Sequence, residues 1–312
     1  MTGKAVGSIL EAIGQTPVVR LRKIVPENAA EVLVKLEYYN PTGSYKDRFA
    51  LAMIEEAEKR GDLRPGMSVV EYTGGSTGSS LAMVCAVKGY RFRAVSSDAF
   101  AREKLQTMKA FGADLTIIPS QGGRVTPDLT PRMIEAARRI TESEPGYFTN
   151  QLYNEDGLKG YEKIGEELLS QVDGPLDVFC AAVGTAHMLM GVARVLRRES
   201  PETRVVVLEP AESAVISGGQ PGSHRVEGIG IGFVPPLLDK NLYDRAMAVA
   251  EKEAREIVGR LAREEGIFAG TSSGLNVAGA LKLAAELGPG HRVVTVAVDT
   301  GLKYLTGSTF SV

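Results

Sequence analysis

Two patterns of hydrophobic and polar positions alternate along most of the chain. Short continuous apolar runs, such as Val32–Leu36 and Arg292–Ala297, are typical of strands buried on both faces. Longer segments between them have apolar residues three and four positions apart. In residues 46–60 these apolar positions fall on one helical face, and Gly61 marks the end of the predicted helix.

The same pattern predicts a regular series of strands and helices. The strands are predicted at residues 32–36, 68–72, 92–95, 115–118, 147–148, 177–180, 204–208 and 292–297. The helices are predicted at residues 46–60, 79–87, 102–111, 130–142, 158–170, 187–198, 250–265 and 274–287. Strands that alternate with amphipathic helices form parallel sheets covered on both faces, so the predicted fold class is α/β. Residues 210–245 interrupt the series with a Gly-, Pro- and Ser-rich stretch, and long loops of this kind are often functional.

Composition and charge argue against several classes of binding partner. The chain has 36 Lys and Arg against 38 Asp and Glu, a net charge of −2, which predicts no attraction to nucleic acid or membrane. No apolar run reaches bilayer length, and the N-terminal sequence lacks the apolar core of a signal peptide, so a cytoplasmic location is expected. Three widely separated histidines and two cysteines in apolar stretches predict no metal site.

Candidate chemistry lies at the turns that follow predicted strands, because ligands of such folds gather at the carboxyl ends of strands. One turn delivers Lys46 to a helix start, where the positive end of the helix dipole would lower the pKa of its amine. The Gly-rich turn 73–78 and the turn 183–187 present backbone N–H groups that suit an anion. Residues 270–274 offer hydroxyl groups at the start of the last helix.

Each turn also has a purely structural interpretation. Lys46 can be a solvated lysine paired with Asp47, His187 can simply start a helix, and residues 270–274 can serve as a cap alone. The turn 73–78 has neither the P-loop spacing nor the dinucleotide-binding spacing, which disfavours a nicotinamide-dependent dehydrogenase. Singly, none of the four turns assigns a chemistry, whereas their order and spacing together do.

In that order and spacing the chain resembles the cysteine synthase (O-acetylserine sulfhydrylase) branch of the fold-type-II pyridoxal-phosphate enzymes, which also includes cystathionine β-synthase. The resemblance covers nearly the whole chain and rests on the segments Ile13–Leu21, Asn40–Arg48, Glu209–Pro210, Ser217–Gly219, Gly228–Pro235, Gly266–Gly274 and Asp299–Leu305. It implies two three-layer αβα domains with mostly parallel twisted sheets. The smaller domain would span 40–145, with the carboxylate-binding loop, and the larger would span 1–39 plus 146–312. A homodimer is also implied.

The resemblance implies a role for each residue that falls in a family motif. Lys46 would hold pyridoxal 5′-phosphate as a Schiff base and later carry protons, and Ser272 would hydrogen-bond the pyridine nitrogen. A hydroxyl does not keep this nitrogen protonated, which favours α,β-elimination over chemistry that needs a long-lived carbanion. Gly228 would line the substrate entrance. The cofactor phosphate would be cradled by Gly184, Thr185, Ala186, His187 and Met188, and the substrate carboxylate would be bound by Thr73, Gly74, Thr77 and Gln151.

Two loops depart from the family pattern. In the carboxylate loop Gly74 and Ser76 stand where the family has serine and asparagine, and Ser76 is expected to reach the ring hydroxyl of the cofactor through water. In the phosphate loop Ala186, His187 and Met188 replace two glycines and a threonine. This change removes a hydroxyl and backbone freedom but keeps the N–H donors, and His187 offers a compensating donor or positive charge.

The implied activity is a transferase reaction of cysteine biosynthesis. It is pyridoxal-phosphate-dependent β-replacement on an O-activated L-serine, such as O-acetylserine, with sulfide or a related nucleophile. Two alternatives stay open. A serine/threonine dehydratase, or another β-elimination, would share the early steps. A non-catalytic, partner-binding paralogue would account for the altered loops, although the intact Lys46 and Ser272 argue against it.

Overall fold

The computed structural model describes residues 5–123, 126, 128–306 and 309–310. The chain divides into two compact units. The smaller comprises the described residues of Thr2–Ile13 and Lys46–Gly160, and the larger comprises those of Gly14–Tyr45 and Tyr161–Val312. The domain limits inferred from the resemblance placed residues 1–39 wholly in the larger domain, whereas the structure groups the described residues of Thr2–Ile13 with the smaller unit.

In chain order the strands are β1 (Val18–Arg20), β2 (Glu31–Leu36), β3 (Ser68–Tyr72), β4 (Arg91–Ser97), β5 (Asp114–Ile118), β6 (Gly146–Phe148), β7 (Val178–Ala182), β8 (Arg204–Pro210), β9 (Arg245–Val249) and β10 (Arg292–Ala297). The α-helices are α1 (Lys46–Arg60), α2 (Ser76–Lys88), α3 (Arg102–Ala110), α4 (Leu129–Ser143), α5 (Asp156–Gln171), α6 (His187–Glu199), α7 (Glu251–Arg260) and α8 (Thr271–Leu287).

The smaller unit is built on a parallel sheet with the strand order β5-β4-β3-β6. Successive side chains of a strand point to opposite faces of its sheet. Val69 of β3 accordingly packs with Ile54 of α1 and Leu81 of α2, whereas the adjacent Val70 packs with Met133 of α4. Helices therefore cover both faces, which explains why these strands are apolar almost throughout.

The larger unit contains a six-stranded sheet with the order β1-β2-β10-β7-β8-β9. Only β1 runs antiparallel to its neighbour. On one face Val32, Leu208 and Val293 pack with residues of α7 and α8. Phe179 and Val294, which alternate with residues of that face, are also completely buried. The predicted α/β class with mostly parallel sheets is confirmed.

Most of the predicted elements are present within a few residues of their predicted bounds, and five elements differ. Strands β1 and β9 were not predicted. The predicted helix 250–265 is α7 followed by a π-helical turn at Leu261–Glu265. Helix α2 begins at Ser76, inside the Gly-rich turn, and α8 begins at Thr271 instead of residue 274. The last two differences place candidate site residues inside helical first turns.

Candidate active site

Lys46 is the first residue of α1, in the smaller unit. Its side chain is half-buried, and its Nζ lies 4.8 Å from the centroid of the Phe49 ring. Desolvation lowers the pKa of the amine to about 8, while the carboxylate of Glu71 opposes this shift. The direction agrees with the expectation from the helix dipole, but burial is the main cause. Lys46 is therefore not a fully solvated surface lysine, which was the alternative that the sequence left open. Its lowered pKa makes the amine suited to nucleophilic attack.

Glu71 is a completely buried carboxylate in β3. Burial raises the pKa of this carboxyl to about 7, against the hydrogen bonds from Thr149, Gln151 and Tyr72 and the charge of Lys46. Its Oε2 accepts hydrogen bonds from Thr149 Oγ1 at 2.5 Å and from Gln151 N at 3.0 Å. Sequence reasoning assigned no role to Glu71. The available signal was a lone carboxylate in an apolar strand that leads into a Gly-rich turn.

The turn between β3 and α2 is shaped by Thr73. The Thr73 Oγ1 accepts hydrogen bonds from the backbone N–H groups of Gly75 at 3.1 Å and Gly78 at 3.2 Å. The Thr73 carbonyl accepts a third bond, from the Ser96 hydroxyl at 2.7 Å. The turn is therefore held from inside, and Ser76 opens α2 where the first N–H groups of a helix have no intrahelical acceptor. Such a turn can present N–H donors to an anion.

Thr77 and Gln151 lie in hydrogen-bond contact although they are far apart in the sequence. Thr77 Oγ1 donates to Gln151 Oε1 at 3.0 Å, and Gln151 Nε2 donates to the carbonyl of Tyr72 at 2.9 Å. Asn150, directly before Gln151, has the left-handed φ of 49°. The structure thus brings together, within the smaller unit, two residues to which the resemblance assigns the substrate carboxylate. Their role stays a prediction.

Neighbouring side chains leave room only for glycine at positions 74 and 75 of this turn. A Cβ atom at Gly74 would lie 2.7 Å from Cε1 of Phe100, and a Cβ atom at Gly75 would lie 2.3 Å from Cδ of Lys104. Both distances are too short for real atoms, so a side chain at either position would force its neighbour to move. The Phe100 ring therefore occupies the space that the serine of the family pattern would need. No feature of the sequence links Phe100 to this turn, and it was missed.

In the larger unit the turn between β7 and α6 has the features of an anion site. His187 opens α6, and the N–H groups and dipole of a helix N-terminus favour a phosphate. His187 is 1% exposed, and its Nδ1 lies 2.9 Å from Thr185 Oγ1, so the imidazole orients that hydroxyl. Ala186 has a φ of 70°, in the left-handed region that glycine adopts more easily. Met188 follows in the first turn of α6 and is buried.

The irregular stretch 210–245 contacts this turn through its own glycines. A Cβ atom at Gly184 would lie 2.2 Å from the carbonyl oxygen of Gly228, so the two backbones approach as closely as glycine allows. Gly230 N donates to the carbonyl of Val183 at 3.1 Å, and His224 Nε2 lies 3.0 Å from the Gly230 carbonyl oxygen. His224, which sequence reasoning did not single out, thus braces the segment around Gly228.

Ser272 is the second residue of α8, after the N-cap Gly270. It is 4% exposed. The interpretation of Ser272 as a helix cap is wrong, because the helix begins earlier and no side chain caps it. A hydroxyl in the first turn of a helix can both donate and accept a hydrogen bond, so Ser272 is suited to a group bound at this end of α8.

Two neighbouring side chains of α8 fix its first turns against the sheet. Ser273 Oγ accepts a hydrogen bond from Val298 N at 2.9 Å. Asn276 Oδ1 accepts one from Ala182 N at 2.7 Å, and Asn276 Nδ2 donates to the Val296 carbonyl at 2.8 Å. Asn276 therefore ties α8 to the carboxyl ends of β7 and β10. Its signal in the sequence was an amide within a helix of small apolar residues.

Three other features of the molecule bear on function. A surface depression of about 700 Å³ lies beside the starts of β2 and β10. Its carboxylates are already engaged within the protein, Glu31 with Arg292 and Asp177 with His291. Within the described ranges, no cluster of three or more His, Cys, Asp or Glu side chains could hold a metal ion. No helix in that part of the chain is long and apolar enough to cross a membrane.

Comparisons with known proteins identify relatives along the whole chain. A family model described as pyridoxal-phosphate dependent enzyme matches residues 9–299. Cysteine synthase of Staphylococcus aureus is 43% identical over 314 residues, which cover 100% of this chain and 99% of the relative. The crystal structure of O-ureido-L-serine synthase matches with a TM-score of 0.89 and 38% identity, covering 98% of this chain and 96% of that one. Cysteine synthase from Entamoeba histolytica matches with a TM-score of 0.92 and 31% identity, covering 100% and 93%.

Proposed function

We propose a reaction for this chain on the premise that it belongs to the pyridoxal-phosphate-dependent enzymes, within their cysteine synthase branch. The reaction is β-replacement on an O-activated L-serine such as O-acetylserine, in which sulfide or a related nucleophile replaces the O-linked group. Relatives named cysteine synthase and O-ureido-L-serine synthase support this class of reaction. The observation that carries the proposal is the desolvated amine of Lys46 at the start of α1.

The residues of this chain fit pyridoxal 5′-phosphate. When bound, this cofactor withdraws electrons from the α-carbon of an amino acid. Ser272 lies in the first turn of α8 with only 4% of its surface exposed, where its hydroxyl would form a hydrogen bond to the ring nitrogen. Gly184 passes the Gly228 carbonyl at a distance that only glycine allows, and Thr185 to Met188 follow it into the N-terminus of α6, whose N–H groups suit a phosphate. Ala186 keeps a left-handed backbone, so the altered sequence preserves a glycine-like turn.

Lys46 has two tasks in the proposed reaction. Its amine would hold the cofactor, and once released it takes the proton from the α-carbon of the substrate as a general base. A pKa of about 8 leaves a substantial neutral fraction of this amine near physiological pH, and the neutral form is both nucleophile and base. The removed proton stays on Lys46 Nζ until it is returned, so no second side chain is needed for proton transfer.

The substrate carboxylate would bind to the turn after β3. Thr77 and Gln151 already form one hydrogen-bonded pair there, and the turn at Thr73 and Gly74 adds backbone N–H donors at the start of α2. We assign Ser76, at the first position of α2, to the cofactor's ring hydroxyl. Gly228 would line the substrate entrance. These groups orient the amino acid so that its α-proton faces Lys46 and its β-substituent can leave.

The test is a screen of substrate pairs on purified protein reconstituted with pyridoxal phosphate. O-acetyl-L-serine, O-phospho-L-serine and L-serine are added singly while the visible absorbance of the bound cofactor is followed. We expect the absorbance to change with an O-activated serine and to recover when sulfide is added, with formation of cysteine. A Lys46→Ala variant should lose turnover. No absorbance change with any of the three amino acids would overturn the proposal.

Product analysis separates the proposal from its alternatives. Release of ammonia and a keto acid without dependence on a second nucleophile would establish a β-elimination. Full biological activity of Lys46→Ala would establish a non-catalytic, partner-binding protein. We further propose that the enzyme acts as a homodimer in the cytoplasm. Light scattering of the purified holoenzyme should give twice the mass of one chain, and fractionation of cells should place it in the cytosol.

A further inference from the structure

Glu71 is a buried carboxylate that the proposed reaction leaves unexplained. It has no exposed surface and lies between Val70 and Tyr72 in β3. Burial of an ionisable group is unfavourable unless its hydrogen bonds are satisfied. A carboxylate in such a strand therefore needs hydrogen-bond donors that offset the cost of its desolvation.

The partners of Glu71 form a clamp around the turn 149–151. One carboxylate oxygen, Oε2, accepts bonds from the Thr149 hydroxyl at 2.5 Å and the Gln151 N–H at 3.0 Å. The other, Oε1, accepts from the N–H of Tyr72 at 2.9 Å. Between the first two donors lies Asn150, whose φ of 49° is in the left-handed region that asparagine adopts more readily than most other non-glycine residues. Glu71 thus holds both ends of a left-handed turn.

The clamp determines where the side chain of Gln151 points. The backbone N–H of Gln151 is bound by Glu71, its side-chain Nε2 by the Tyr72 carbonyl at 2.9 Å, and its Oε1 by the Thr77 hydroxyl at 3.0 Å. Three fixed points leave the amide one orientation. Without the carboxylate the turn 149–151 loses two hydrogen bonds. Above the Glu71 pKa of about 7 these are bonds to a charged acceptor, which are about twice as strong as neutral ones.

We propose that Glu71 is a positioning residue for substrate binding: it clamps the turn 149–151 and so holds the Gln151 amide in place for the substrate carboxylate. The inference rests on the proposed function, because it needs Gln151 to bind substrate. It adds a residue to that site which touches neither substrate nor cofactor. The positive charge of Lys46, in the same unit, complements the carboxylate.

The test compares Glu71→Gln with the wild-type holoenzyme. O-acetyl-L-serine is titrated while the visible absorbance of the cofactor is followed, and kcat and KM are measured with sulfide. We expect half-saturation and KM to rise about tenfold, with kcat lowered by less than about threefold, because an anchor is lost and the reacting groups remain. Glu58→Gln is the matched control. Glu58 is a hydrogen-bonded carboxylate of α1 with Lys88 and Tyr90 as partners, and its change should leave both parameters unaltered.

A double-mutant cycle separates positioning from general damage. If Glu71 acts through Gln151, then Glu71→Gln should change KM by less than about twofold in a Gln151→Ala background. Equal effects in both backgrounds would overturn the inference. Thr149→Val removes one donor to the same oxygen and should raise KM about threefold. If Glu71→Gln fails to fold, Thr149→Val tests the clamp in its place. An unchanged KM of Thr149→Val would then overturn the inference.

Hydrogen exchange tests the clamp without any substrate. The backbone amide of Gln151 should exchange at least about tenfold faster in the Glu71→Gln holoenzyme than in wild type, whereas amides of the α1 helix should be unchanged. If wild type does not respond to O-acetyl-L-serine but this exchange rises, the proposed function fails and the clamp stands. If wild type responds and the exchange does not rise, the clamp fails and the proposed function stands.

Discussion

At the scale of single residues, burial tunes two ionisable groups of the smaller unit toward neutral pH. Desolvation lowers the pKa of the Lys46 amine to about 8 and raises that of the Glu71 carboxyl to about 7. Each group favours the charged form of the other, so neither shift reaches the value that burial alone would give. The result is an amine that can release its proton near physiological pH while a counter-charge remains in the same unit.

The shifted amine predicts the pH dependence of cofactor attachment. Only the neutral amine of Lys46 can attack, and its folded pKa is about 8 instead of the ordinary 10.5. On mixing apoenzyme with pyridoxal phosphate, we expect the rate of absorbance change to rise about tenfold per pH unit below pH 8 and to level off above it. The reaction of Nα-acetyl-lysine with the same cofactor provides the control for its own ionisation. A rate that continued to rise beyond about pH 10 would contradict the lowered pKa.

The contact between Gly74 and Phe100 predicts a compensating pair of substitutions. A side chain at Gly74 would meet the Phe100 ring at 2.7 Å. Gly74→Ser should therefore lower the free energy of unfolding by about 1–2 kcal/mol, the usual cost of overpacking. In a Phe100→Ala background the same substitution should cost less than about 0.5 kcal/mol. Urea unfolding of the four proteins measures the cycle, and an equal cost in both backgrounds would disprove the steric coupling.

At the scale of elements, the candidate residues lie where strands turn into helices, and the precise first residue of a helix decides what its side chains can do. The sequence pattern placed Ser272 just outside α8, as part of a cap, because Thr271, Ser272 and Ser273 are typical capping residues. In the structure α8 starts at Thr271, so Ser272 lies in the first turn. Helix boundaries are the least predictable feature of a sequence, since the cap geometry depends on tertiary contacts such as Ser273 with Val298.

The close approach of two turns in the larger unit predicts a strong effect of one methyl group. In Gly184→Ala the new Cβ atom would lie 2.2 Å from the Gly228 carbonyl oxygen, a backbone atom that cannot simply rotate away. We expect the turn at 184–188 to shift and the dissociation constant of pyridoxal phosphate to rise at least tenfold, or about 1.4 kcal/mol. Gly146→Ala is the control, because its Cβ atom would have ordinary contacts of 3.5 Å. Equal cofactor titrations of the two variants would contradict the prediction.

At the scale of the whole molecule, periodicity and resemblance predicted the α/β class and most elements, because buried parallel strands leave an unmistakable apolar pattern. Strand β9 was not predicted because Arg245–Val249 contains two alanines, which have a low preference for strands, and because it follows an irregular stretch. Glu71 and Phe100 were missed for another reason, because each acts through a contact that joins distant parts of the sequence. His224 was missed because its contact with the Gly230 carbonyl lies within an irregular stretch that has no periodic pattern. A single sequence, considered without an alignment of its relatives, shows the spacing of motifs but not such contacts.

The holoenzyme as a whole should be more stable than the apoprotein. A cofactor that binds only the folded chain stabilises it by RT ln(1 + [L]/Kd), about 2.7 kcal/mol when the free cofactor is at 100 times its Kd. For a chain of 312 residues this raises the midpoint of thermal unfolding by roughly 5 °C. Lys46→Ala keeps Gly184 to Met188 and Ser272, so we expect it to retain a smaller, concentration-dependent shift. Calorimetry at several cofactor concentrations measures both proteins. A midpoint of the wild type that did not move with cofactor would show that these residues do not bind it, because the linkage follows from binding alone.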